Sequence, residues 1–84
     1  MTFGEALKRV RTGNRIAREG WNGKGMFVVL IKGSQLKEAF DKNNDTLYQY
    51  NDVLALKTAD DRIQVGWLAS QTDMLATDWE VKRY

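Results

Sequence analysis

Three tryptophans, two close glycines and a group of small polar side chains are concentrated in two stretches of this chain, REGWNGKGM from Arg18 to Met26 and WLASQTDMLATDW from Trp67 to Trp79. Gly23 and Gly25 flank Lys24, so backbone amides there can approach an anionic ligand closely while the lysine supplies charge, and concave turns of this kind bind phosphate oxygens. Glycine is also the default residue of any strained turn, and spacing alone gives that plainer reading the greater weight. Trp21 stands beside this loop, with Asn22 between it and the first glycine. A half-exposed indole offers a flat face to a purine, worth roughly 1–3 kcal/mol per base. The same indole could instead cover the end of a sheet or fill a subunit contact, where tryptophan is enriched. Trp67 and Trp79 fit the core better. Ser70, Gln71, Thr72 and Asp73 gather two hydroxyls, an amide and a carboxylate, groups that suit ribose hydroxyls and the hydrogen-bonding edge of a base. They suit a capped turn with solvated side chains equally well. A carboxylate there repels a polyanionic backbone, which favours a small ligand with few phosphates.

Catalysis is poorly supported. The chain has no histidine and no cysteine, which removes the commonest general base, the commonest metal ligand and the thiol nucleophile. Asp60-Asp61, or Asp73 with Asp78, could in principle do acid–base work. Aspartates are equally what a hairpin turn and an early helical turn select. WNGKGM lacks the longer spacing and the trailing hydroxyl residue of a P-loop, and carboxylates at metal-ligand spacing are missing. No cofactor or metal is expected, and the chain reads as a binding protein.

Composition sets the outer limits. The 84 residues make one domain, 1–84, small enough that a lone subunit is marginally stable unless packing is very good or subunits pair. Thirteen basic and eleven acidic residues are interspersed, a balance too mild to argue for nucleic acid. Three tryptophans and a pI near 9.0 still leave a small single-stranded nucleic-acid-binding module as the alternative. A third possibility is a plain interaction protein in which Trp21 only seals an interface. No apolar run approaches the ~20 residues of a membrane span, and the basic N-terminal segment lacks the apolar stretch of a signal peptide, so a cytosolic protein is expected.

The elements that must position these residues are short. Thr2 and Glu5 form a capping-box signature, and Phe3, Ala6, Leu7 and Val10 recur at helical spacing until Gly13 stops the helix. A weak strand is predicted over Asn14–Arg18, a loop over Glu19–Gly25, and a central strand over Met26–Ile31, whose unbroken apolar run suggests burial on both faces. Ser34–Asp41 predicts a helical turn with Leu36, Ala39 and Phe40 on one side, followed by a polar and mobile Lys42–Asp45. Asp52–Lys57 and Arg62–Trp67 read as a hairpin across Thr58–Asp61, with Ile63, Val65 and Trp67 sharing one buried face by period two. Ser70–Leu75 suits a short capped helix, and Asp78–Tyr84 a last strand with Trp79 and Val81 on one face. The fold class is α+β: a small antiparallel sheet of four to five strands packed with two or three short helices.

The same strings carry a resemblance. From FGEALKRVRTGNRIAREGWNGKGMF through KTAD to WLASQTDMLATDW, nearly the whole chain resembles the phage-encoded anti-Thoeris proteins of the second described type. That resemblance implies a homo-oligomer, a tetramer built as a dimer of dimers, acting in the cytoplasm of the infected bacterial host. It implies binding of the cyclic ADP-ribose isomers (gcADPR) made by TIR-domain defence enzymes, held without cleavage so that the downstream effector stays inactive. Some relatives also take cyclic dinucleotides. Carried onto this chain, Trp21 would stack on the adenine, and Asn22 and Lys24, about Gly23, would contact ribose or pyrophosphate. Ser70, Gln71, Thr72 and Asp73 would supply the polar edge, from a neighbouring subunit in some arrangements. Longer relatives have more sequence between the central strand and KTAD, whereas this chain is compact from Lys37 to Asn51, so no contact from that region is carried over.

Overall fold

The computed structural model describes residues 1–41 and 48–83. The expected polar segment Lys42–Asp45 and the final residue of the last predicted strand lie outside the described residues. Helix α1 (Phe3–Arg11) starts at Thr2, whose hydroxyl accepts from Glu5 N while the Glu5 carboxylate accepts from Thr2 N. It ends where Asn14 N and Gly13 N return to the Arg9 and Val10 carbonyls, with Gly13 at φ +95°. Strands β1 (Arg15–Arg18), β2 (Phe27–Ile31), β3 (Val53–Lys57), β4 (Ile63–Val65) and β5 (Trp79–Lys82) make one antiparallel sheet in the order β4-β3-β2-β1-β5. Helices α2 (Gly33–Phe40) and α3 (Gln71–Leu75) join β2 to β3 and β4 to β5. This is the α+β class the patterning predicts.

One face of the sheet carries the core. Ala6 and Val10 of α1 pack on Ile16, Val28 and Trp79, all buried. Removing side chains such as Ile16 and Val28 from water contributes about 1.5–3 kcal/mol each. The register Ile16↔Val28, Val28↔Leu56 and Ile16↔Val81 lays these residues on the helix side. It follows that Phe27, Val29, Ile31, Val53 and Ala55 point to the opposite face. No helix of the three covers that face extensively, so the apolar run of β2 is central in order but only half-buried apart from Val28. The expectation of burial on both faces is corrected accordingly.

The period-two reading of residues 62–67 is also corrected. Strand β4 is only Ile63–Val65, at the sheet edge, and Ile63 and Val65 are 56% and 50% exposed. Gly66 N and Trp67 N both donate to the Leu54 carbonyl, at 2.9 and 2.8 Å, and Gly66 has φ +90°. Two residues facing one constitute a β-bulge, and an inserted residue reverses the alternation beyond it. Ile63 and Val65 therefore stay on the open face while Trp67 turns to the core. In α2, Leu36 is half-buried, but Ala39 is exposed and Phe40 is 70% exposed, so the expected apolar side is not seated.

Candidate functional site

Antiparallel order fixes what meets at one end of the sheet. The β1–β2 loop (residues 19–26), the β3–β4 turn (58–62) and the α3–β5 connection all lie there, because Arg18 is paired with Trp79 and Phe27 with Lys57. The two sequence-distant stretches thus come together. Trp21 is half-buried, with its ring edge-on to Trp79 at 5.3 Å and Trp67 at 6.2 Å, and Trp67 and Trp79 are 6.3 Å apart. Phe3 of α1 closes the cluster against Trp79 at 5.2 Å. The edge-to-face tryptophan pairs add about 0.5–1.5 kcal/mol each beyond their area. Trp21 therefore covers the end of the sheet and keeps part of its surface in solvent.

Two carboxylates hold this arrangement. Arg18 Nε donates to Asp78 Oδ1 at 2.9 Å and Arg18 Nη1 to Asp73 Oδ1 at 3.0 Å. Asp78 Oδ2 accepts from Gly20 N at 2.8 Å, which fixes the start of the loop. Asp73 Oδ1 accepts from the Trp21 indole Nε1 at 3.3 Å, and Asp73 Oδ2 from Ser70 N at 3.2 Å. The Asp73 carbonyl takes the Trp79 indole N–H at 2.8 Å. Burial disfavours the charged form of Asp73, but hydrogen bonds from Arg18, Ser70 and Trp21 outweigh it and hold the carboxyl below its ordinary value. Asp78 is lowered by the Arg18 hydrogen bond and then by Gly20 N, and Arg18 is raised by Asp78 first and Asp73 second.

Among the expected ligand contacts, Asn22 and Lys24 are exposed and Gly23 is half-buried. None of the backbone N–H groups from Asn22 to Gly25 donates to an acceptor among the described residues. Four consecutive unpartnered donors with an ammonium between two glycines can receive an anion. Ser70, Gln71 and Thr72 are exposed on α3; Ser70 is its cap, accepting from Asp73 N at 3.1 Å. Asp73 differs from its three neighbours, since both of its oxygens already serve Arg18, Trp21 and Ser70.

Arg18 was not singled out by sequence. Its partners lie 55 and 60 positions away, and nothing in a strand-ending arginine names them. A separate cavity lined by Leu7, Val10, Leu30 and Leu54, with Arg11 and Asp52 at its polar side, lies at the other end of the sheet and shares no residue with this site. Among the described residues, no group of three or more acidic side chains could hold a metal ion, and no helix is long and apolar enough to cross a membrane.

Comparison with known proteins gives two findings. A family model described as the Thoeris anti-defense 2-like domain matches residues 1–82. The protein named Thoeris anti-defense 2 from Bacillus phage SP01 is 38% identical over 86 residues, covering 96% of this chain and 93% of that one.

Proposed function

This chain belongs to the Thoeris anti-defense 2-like family, and we propose on that footing that it binds and sequesters cyclic ADP-ribose-type immune signals made by TIR-domain defence enzymes, without cleaving them. Such a protein blocks Thoeris immunity by lowering the free signal concentration. The observation that carries the reading is the Trp21–Gly25 loop: a half-buried indole followed by four amides without a partner among the described residues and an exposed ammonium. An ADP-ribose ring offers groups complementary to each of these, with a base to stack and phosphates to accept hydrogen bonds. The Arg18–Asp73–Asp78 network supports it further, because it fixes Gly20 and the Trp21 indole, and a loop anchored at its start loses less entropy when it binds. Out-competing a host sensor calls for nanomolar affinity, about −12 kcal/mol, which stacking plus charge-assisted bonds on a preorganised loop can reach. Asn22 and Lys24 are assigned to ribose and phosphate, with Gly23 giving close approach; Ser70, Gln71 and Thr72 are assigned to the polar edge.

The protein is further proposed to work as a homo-oligomer, a tetramer built as a dimer of dimers, in the cytoplasm of the infected host. The sheet face opposite α1, partly exposed at Ile63 and Val65, and the exposed Leu68 and Leu75, at 89% and 80%, support association.

The test is depletion. Protein incubated with cyclic ADP-ribose isomers and passed through a retaining filter should remove the signal and return it intact after heat denaturation. Trp21→Ala and the exposed variant Lys24→Ala should each leave signal in the filtrate. Return of a hydrolysed product would identify an enzyme, and undiminished signal with the parent protein would end the sequestration reading.

A further inference from the structure

The β3–β4 turn, which the reading above does not use, lies directly against the glycine loop. A Cβ at Gly23 would fall 2.9 Å from Ala59 Cβ, and one at Gly25 would fall 3.1 Å from Lys57 Nζ. The Lys57 ammonium therefore rests close beneath the Gly25 backbone, where the φ of +74° favours glycine. Its side chain is 19% exposed, and its partner among the described residues is Asp61 Oδ1 at 2.6 Å. Asp61 is 83% exposed and takes φ +65°, the left-handed region, inside the turn closed by Asp61 N to the Thr58 carbonyl and Thr58 N to the Arg62 carbonyl. An ammonium has three donors, and among the described residues this one meets a single, solvated counter-ion. Exposed carboxylates make weak partners, because water screens them and their side chains are mobile.

We propose that Lys57 is a second cation of the anion seat on the Trp21–Gly25 loop, reaching the diphosphate of a nucleotide, with Asp61 the resident counter-ion that the phosphate displaces. The assignment rests on the nucleotide reading of the same loop. One phosphate would take the loop amides and Lys24, and its neighbour would take Lys57. A lone phosphate or an uncharged nucleoside could satisfy only part of the seat, so the site selects a diphosphate-bridged ligand. Asp61 then tunes affinity from outside: it lowers the cost of covering Lys57 in the free protein and competes with the ligand for it.

Calorimetry with two probes, a panel of cyclic ADP-ribose isomers (together called cyclic ADP-ribose below) and inorganic pyrophosphate, on the parent protein, Lys57→Met and Asp61→Asn tests this. Methionine keeps the unbranched stem of Lys57 and removes the charge. Lys57→Met should weaken both probes by about tenfold or more, the worth of one charge-assisted bond, and flatten the salt dependence. Asp61→Asn, at an exposed position where asparagine tolerates the same backbone, should tighten both and needs no change of fold. Equal binding of cyclic ADP-ribose by parent and Lys57→Met overturns the assignment and leaves the sequestration reading standing. So does unchanged or weaker binding by Asp61→Asn. Lys57-dependent binding of pyrophosphate with no binding of cyclic ADP-ribose supports the seat and overturns the nucleotide reading. A parent protein that binds neither probe removes both.

Discussion

The Asp73 carboxylate caps α3 through Ser70 N, meets the Arg18 guanidinium at 3.0 Å and receives the Trp21 indole N–H. Its side chain is 14% exposed, so these bonds operate where water competes weakly. Asp73→Asn would leave Arg18 facing an amide and should cost about 2 kcal/mol, the scale of a lost hydrogen bond to a charged group. Urea unfolding followed by tryptophan fluorescence measures it, and a variant as stable as the parent refutes the positioning role. Acid makes the same point without mutation. Asp73 and Asp78 both titrate below their ordinary value of 3.8 in the folded protein. A depressed folded pKa contributes stability that is full above the unfolded value and is lost as pH falls through the folded one. Stability should therefore hold from neutrality to about pH 5 and fall below about pH 4. A flat unfolding midpoint down to pH 3 would contradict the network.

Elements at the far end of the sheet are positioned by close backbone approach. Gly33 opens α2, and its N–H donates to Asp52 Oδ1 at 2.8 Å. A Cβ there would fall 1.7 Å from the Tyr50 carbonyl oxygen, a clash that only backbone movement relieves. Gly33→Ala should cost about 3 kcal/mol or more, as overpacking against main chain does. Gly66→Ala meets nothing within 4 Å and strains only a left-handed φ of +90°, so it should cost about 1–2 kcal/mol. Denaturation of the pair decides it: equal losses would mean that α2 and the segment before β3 are not packed this way. Helix α1 was legible in the sequence because its cap, apolar spacing and stop are all local. The facing of β4 was not, because a bulge at Gly66 is invisible to a period-two pattern that continues smoothly to Trp67.

At the scale of the whole molecule, one sheet face is covered by helix; on the other, Ala17 and Ala55 are buried, Val29, Ile31 and Val53 half-buried, and Ile63 and Val65 exposed. An exposed apolar edge strand is a pairing surface in a chain of only 84 residues. If the proposed homo-oligomer uses this face, Val65→Lys should lower the assembly state without unfolding the subunit, since the residue already stands in solvent. Sedimentation of parent and variant reads the outcome. A parent that sediments as a monomer throughout would remove the oligomer, and an unchanged variant would move the interface elsewhere.

By itself the sequence determined the class of this protein, its first helix and the turns, because caps, glycine stops and apolar spacing act over a few residues. It also held the family resemblance, since Trp21, Asn22 and Lys24 stand in a contiguous string. Only the tertiary structure decided that Asp73 is committed within the chain, that Arg18 joins two distant acids, and that Lys57 lies under Gly25. Those contacts depend on strand order and register, which bring residues tens of positions apart to one end of the sheet. No local pattern encodes that distance.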